Sequence, residues 1–181
     1  MYDFHYNYIK KNFSSKVNLL FTDTDSLCYE IETKDFFEDI LADVQEKFDT
    51  SNFSPNHPSA IPTGINKKVP GMFKDEAGGE IIEDFVGLRA KLYAIKKLDG
   101  EEEKKCKGIK RGVVKKRISF EDFKKCLFSE RQQLRTMNII RSHKHEIYTE
   151  KINKIALSSS DDKRIIRPDK VNTLAHGHSV G

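Results

Sequence analysis

Apolar residues at Phe4, Tyr8 and Ile9 recur at three-to-four spacing, which predicts a helix over residues 1–13. It begins at full hydrophobic strength with no capping residue, as expected of a chain that starts inside a fold. Residues 17–22 and 27–31 are short apolar runs separated by Asp23-Thr24-Asp25-Ser26, the pattern of a β-hairpin with a carboxylate-rich tip. Thr33 is then expected to cap a helix over 34–48, with Phe37, Ile40, Leu41, Val44 and Phe48 as its apolar stripe. Pro55, Pro58, Pro62 and Pro70 make 49–70 an extended, ordered loop. Residues 81–86 and 92–95 read as strands, 99–105 as a charged turn, and 107–118 as a basic strand with interleaved Ile and Val. Ser119 and Asp122 have capping-box spacing for a helix over 119–128, and 130–141 is expected to continue helical. The polar tail from Ser158 ends in 174–181, expected to be poorly ordered. No internal repeat is present.

Composition adds a charge division to this pattern. The chain has 181 residues, enough for one domain or two small ones. It is 37% hydrophobic and 33% charged, but its twelve Phe fall in clusters that can build a core. Residues 1–50 hold five Lys or Arg against eleven Asp or Glu, a net of −6. Residues 87–117 hold twelve against four, a net of +8, which suits either a solvated face or a polyanion site. Cys28, Cys106 and Cys126 show no paired spacing and read as reduced and intracellular, equally compatible with nucleus, mitochondrion or virus. No apolar run is long enough to span a membrane, so no membrane partner is expected.

Two segments carry candidate chemistry. If the first strand continues through the tip, alternation puts Asp23 and Asp25 on one side. Two carboxylates that close repel each other unless a divalent cation lies between them, and Mg²⁺ prefers such hard oxygen ligands. Taken alone, Asp-Thr-Asp-Ser is equally good turn chemistry. A strand ending in Asp-x-Asp also opens haloacid-dehalogenase-like phosphatases, with Asp161-Asp162 as a conceivable second acidic pair. That fold needs a helix, not a strand, after the motif. In the second segment, Lys91 and Tyr93 lie two apart on an expected strand, a cation and an aromatic hydroxyl on one face. They suit a sugar-phosphate backbone, although in isolation a sheet-face aromatic beside a solvated cation is the commoner arrangement. His143-Lys144-His145 and His176-Gly177-His178, with Cys106 and Cys126, match no zinc spacing, and the histidines read as surface residues.

The order of these segments resembles the C-terminal part of protein-primed family B DNA polymerases of organellar, viral and Polinton/Maverick type. Phe21-Thr22-Asp23-Thr24-Asp25-Ser26 comes first, then Lys91-Leu92-Tyr93, then Cys106-Lys107-Gly108, a basic stretch and Ile118-Ser119-Phe120-Glu121-Asp122-Phe123. Asp49-Thr50-Ser51-Asn52-Phe53, Gly71-Met72-Phe73-Lys74-Asp75-Glu76 and Thr173-Leu174-Ala175-His176-Gly177-His178 are similar as well. The resemblance implies an α+β fold: a polymerase-palm antiparallel sheet with an acidic hairpin and packed helices over 1–117, then a small basic thumb and tail over 118–181. It implies two-metal nucleotidyl transfer with Mg²⁺, adding dNMP from a dNTP to a primer 3′-hydroxyl. Asp25 would be the main metal ligand, with Asp23 beside it and Thr24 and Ser26 at the primer end. Lys91 and Tyr93 would hold the primer terminus. Lys107, Lys110, Arg111, Lys124 and Lys125, with Arg131 and Arg135, would contact primer–template DNA, and a terminal protein primer is an implied partner. Phe21 stands where Tyr is common. No Asp-x-x-Ser-Leu-Tyr-Pro-like (motif A) or Lys-x-x-x-Asn-Ser-x-Tyr-Gly-like (motif B) stretch occurs. The chain is therefore expected to be a fragment, inactive alone. The alternative is a non-catalytic DNA-binding remnant of a mobile element.

Overall fold

In the computed structural model, which describes residues 1–160, 164–169 and 172–175, the chain forms two compact units. One comprises Met1–Glu83 with Lys97–Gly100; the other comprises Asp84–Lys96 and the described residues from Glu101 on. The palm-to-thumb division expected at 117/118 is a different partition and falls within the second unit.

The first unit opens with a π-helix, Phe4–Ile9, that runs into α1 (Lys10–Phe13). The expected aromatic stripe is what it buries: Tyr8, Ile9 and Phe13 pack with Val17, surrounded by Phe4, Tyr29, Ile31, Phe36 and Phe48. Tyr8 donates its hydroxyl proton to Asp43 at 2.9 Å. Strands β1 (Val17–Asp23) and β2 (Ser26–Ile31) pair antiparallel as expected, with Asp23 opposite Ser26 at the tip and the register shifting between Leu19 and Phe21.

The helix expected over 34–48 is broken. It is α2 (Phe36–Ile40), a 3₁₀ turn at Leu41–Asp43, and α3 (Val44–Lys47). Asp35 caps it in place of Thr33. It is extended immediately before Phe36 and accepts from the N–H groups of Phe37 (2.9 Å) and Glu38 (3.2 Å), while Thr33 bonds the Asp39 carboxylate. Phe48 then turns extended. β3 (Phe48–Asp49) pairs parallel with β4 (Phe73–Lys74), an unforeseen contact. The proline loop between them is ordered by Thr50, which is 2% exposed and donates to the Pro62 carbonyl at 2.8 Å. Ile40, Val44, Phe53 and Ile61 form the core beneath it.

The second unit is built on most of a three-stranded sheet, β5 (Ile82–Arg89), β6 (Leu92–Lys97) and β7 (Glu102–Cys106), of which Ile82, Glu83 and Lys97 count with the first unit. Its central strand buries Leu92 and Ala94 against Cys106, Val114, Ile118, Phe120, Phe123, Cys126 and Leu157. Three expectations are corrected here. The charged turn over 99–105 is confined to its first residues, because Glu102, Lys104 and Cys106 alternate inward on β7. Glu102 pairs with Lys104 at 2.7 Å and accepts from the Phe120 N–H at 3.1 Å, so its charge is satisfied by a neighbour on the same strand and a backbone donor outside the sheet. The basic strand over 107–118 is instead a turn at Gly108 (φ +90°) followed by α4 (Arg111–Arg117), which turns Val114 inward, and Ile118 joins the same core in the extended residue just after the helix. The predicted capping box is present at the start of α5 (Phe120–Ser129). Glu130, left-handed at φ 55°, ends that helix, so 130–141 is not helical. β8 (Gln133–His143) and β9 (Glu146–Leu157) form a long two-stranded ribbon there. β10 (Arg164–Ile166) and β11 (Thr173–Ala175) pair after it, so Leu174 and Ala175 are in a strand, while 176–181 lie outside the described residues.

The chain is thus mixed α and β with mainly antiparallel sheets, as expected. It carries several small sheets rather than one sheet covered on one face. Among the described residues no helix is long and apolar enough to cross a membrane.

Candidate functional site

Thr24 and Asp25 form the two-residue turn of the acidic hairpin, with Thr24 left-handed at φ 60°. The Asp25 N–H donates to the Asp23 carbonyl at 2.7 Å, and the Ser26 hydroxyl donates to the same carbonyl at 3.2 Å. The Thr24 hydroxyl donates to the Asp23 carboxylate at 3.3 Å. Asp23 is half-buried at the end of β1 and Asp25 is exposed on the turn. The alternation argument for their common side does not apply, because a left-handed Thr24 interrupts the strand between them. The turn, rather than strand alternation, sets where the two side chains lie. Both offer hard oxygen donors of the kind Mg²⁺ takes. Among the described residues, no group of three or more His, Cys, Asp or Glu gathers into a metal site. β2 follows the pair directly, where the phosphatase-like alternative needs a helix. Asp161 and Asp162, its second acidic pair, lie outside the described residues.

The cationic residues belong to the second unit. Lys91 occupies the turn between β5 and β6 at φ 60°, not a strand position, so it does not alternate with Tyr93 as expected. Tyr93, on β6, faces away from Leu92 and Ala94, beside Phe85 (ring centroids 6.2 Å apart) and opposite Lys105. The Lys107 N–H donates to the Lys91 carbonyl at 3.1 Å, which joins the two turns at one end of the sheet. Lys154 of β9 reaches the same end and donates to the Gly108 carbonyl at 3.0 Å. Lys91, Lys107 and Lys154 therefore cluster, although 63 residues separate the first from the last. Sequence reasoning did not single out Lys154. The only signal was its place in a segment whose strand pairing is non-local. Lys110 and Arg111 are exposed at the start of α4, and Lys115, Lys116 and Arg117 continue its solvent side.

Two expected DNA contacts are engaged within the unit. Lys124 pairs with Asp84, which holds its ammonium group above the usual range. Arg135 donates to the Arg117 carbonyl at 2.9 Å, to Gln133 at 2.9 Å, and pairs with Asp122 at 3.2 Å. Lys125 and Arg131 are exposed near the end of α5. Burial pushes the Cys28 and Cys106 thiols up to about 11 and raises Cys126 as well, which keeps all three protonated and unreactive near neutral pH.

The ribbon extends this basic surface. Residues 133–157 hold five Lys or Arg against two Asp or Glu, with His143 and His145 at the tip. Met137, Ala156 and Leu157 anchor its base in the core, while every residue from Arg141 to Lys151 is exposed. A nucleic-acid major groove is wide enough to admit a two-stranded ribbon. No protein-family model, curated protein or solved structure matches the chain.

Proposed function

We propose that the chain is the palm-and-thumb portion of a family B DNA polymerase, whose second unit binds primer–template DNA and whose acidic hairpin holds catalytic Mg²⁺. The observation that carries this reading is the Asp-Thr-Asp-Ser segment forming the tip of an antiparallel hairpin, with Asp23 opposite Ser26 and Asp25 exposed in the turn. A strand-anchored tip fixes a carboxylate with little entropy left to lose. Asp25 is the principal metal ligand in this reading, and Asp23, steadied by Thr24, sits behind it. A bound metal pair would activate the primer 3′-hydroxyl and stabilise the leaving pyrophosphate of an incoming dNTP. The chain's own part is positioning and charge: Lys91 and Lys107 neutralise primer phosphates, and Tyr93 packs against sugar or base. A terminal protein primer is a further partner under this reading.

Binding of a primer–template with a recessed 3′ end tests the proposal, at constant ionic strength, with Mg²⁺ or with chelator. Mg²⁺ is expected to tighten binding by the natural chain, and Asp25→Asn to abolish that increment. Binding indifferent to Mg²⁺ in both proteins would overturn the reading. Because no motif A-like or motif B-like stretch is present, the purified chain is expected not to extend the primer. Measurable dNMP incorporation would overturn that part.

A second reading, DNA binding without catalysis, is favoured by the clustering of Lys91, Lys107 and Lys154 at one end of the second unit's sheet, a cationic surface that needs no metal. It predicts that Asp25→Asn keeps or raises duplex affinity whether or not Mg²⁺ is present, since only an anionic repulsion is removed.

A further inference from the structure

All twelve phenylalanines lie among the described residues, and eleven are buried or half-buried. Phe128 is 81% exposed. It stands on the last turn of α5, where Phe120, Phe123 and Cys126 take the inward positions. Its ring borders an open depression of about 680 Å³, lined also by Glu121, Lys124, Lys125, Ser129 and Arg131. Lys125 and Arg131 flank the ring three residues to either side, and both are exposed. Among the described residues neither forms an ion pair. Glu121 is the acid on this wall, against three cations.

Cations at a helix C-terminus have an ordinary reason, the helix dipole. An exposed phenylalanine between them does not. Leaving such a ring in water forgoes about 1.5–3 kcal/mol of burial, so the position is best explained by something that covers it. A flat apolar ring bracketed by exposed cations matches one chemistry closely: a nucleobase on the ring with its neighbouring phosphates on the cations. A protein partner would be expected to meet a wider apolar patch, and the other residues lining the depression are charged or hydroxylated.

We propose that Phe128 is a stacking platform for an unpaired base of single-stranded nucleic acid, with Lys125 and Arg131 holding the adjoining phosphates. The proposal rests on the nucleic-acid reading above. It adds that an unpaired strand, not only duplex, is bound by the second unit.

The chain contains no Trp, so Phe128→Trp introduces a single indole reporter at the platform. This variant is titrated with oligothymidylate of about 12 nucleotides, and with an all-abasic strand of equal length and charge. The thymidylate is expected to quench the emission at least about twofold, as stacking does, and the abasic strand to leave it nearly unchanged. In the natural sequence, Phe128→Ala is expected to weaken thymidylate binding about 5- to 150-fold, the loss of roughly one stacked base, without changing abasic-strand affinity. Because the ring is exposed, both variants should keep the natural circular dichroism spectrum. Equal quenching by the two strands, or full thymidylate affinity in Phe128→Ala, would overturn the proposal. If that happens while Mg²⁺-dependent primer–template binding persists, the platform fails and the polymerase reading stands. Base-dependent quenching without any Mg²⁺ dependence gives the reverse. A chain that binds neither strand overturns both.

Discussion

Gly79 has φ +87°, a backbone region that L side chains rarely adopt. A Cβ there would collide with His57 Nε2 and lie 2.9 Å from Phe53 Cε1. His57 cannot easily yield. Its Nε2 bonds the Gly79 carbonyl at 3.1 Å, its Nδ1 bonds Ser59 at 2.6 Å, and its ring is edge-packed on Phe37 and Phe53. Strain and overpacking add, so Gly79→Ala should destabilise the first unit by about 2–4 kcal/mol. A lower urea midpoint with an unchanged slope would register this, and an unchanged midpoint would refute it. The sequence signals a turn at Gly78-Gly79 from residue type alone. It could not mark the contact with His57, because nothing local links residues twenty-two apart. Asp23 and Asp25 teach a related lesson. Their residue type and the hairpin around them were legible. The alternation assumed between them was not safe, since it depended on whether Thr24 would be extended or left-handed.

At the scale of elements, legibility follows the range of the determining interaction. The capping box of α5 is complete within four residues: the Ser119 hydroxyl accepts from the Asp122 N–H at 3.2 Å, and Asp122 accepts from the Ser119 N–H at 2.9 Å. Spacing alone therefore located it. Ser119→Ala should cost about 1 kcal/mol, measurable as a lowered denaturation midpoint. Burial works to raise the Asp122 carboxyl, but the Ser119 bonds and the Arg135 charge outweigh it and hold the group below the usual range. A depressed folded-state pKa means a contribution that is present above the unfolded-state value of about 4 and lost as pH falls through the folded value. The stability difference between the natural chain and Asp122→Asn should therefore be largest near neutral pH and shrink as pH is lowered from about 5 towards 2. A difference that is constant across that range would count against this role. The ribbon was illegible for the opposite reason. Leu134, Met137, Ile139 and Ile140 fit a helical period as readily as a strand, and only pairing with β9, up to about two dozen residues downstream, selects extended backbone. Glu130, whose left-handed conformation ends α5, gave no warning, because glutamate is not a residue that usually occupies that region.

For the molecule as a whole, the charge division seen in the sequence survives folding as a division of surfaces. The acidic hairpin belongs to the first unit. The Lys91–Lys107–Lys154 cluster, the outer side of α4 and the ribbon belong to the second. Phosphate binding by such a surface releases counterions, so affinity should fall with salt at a slope of about 0.9 per phosphate neutralised. The ribbon's share can be isolated. Residues 140–149 contribute nothing to the core, with Ile140 71% and Ile147 76% exposed. Ile139 and Glu150 face each other across the strands. Replacing 140–149 by Asn-Gly should close the shortened ribbon with a two-residue turn that suits its twist. Stability should stay within about 0.5 kcal/mol, since only exposed positions are removed. Duplex affinity should drop, and the salt slope should fall by about one to two, matching the loss of Arg141, Lys144 and any phosphates they meet. Removing Lys107 and Lys154 together by alanine should lower the slope by a similar amount through a separate part of the surface. If the shortened ribbon binds duplex with undiminished affinity and slope while the lysine pair does not, contact is confined to the sheet end. If neither change alters the slope, the positive surface is only a solvated face, and the nucleic-acid reading of the second unit fails with it.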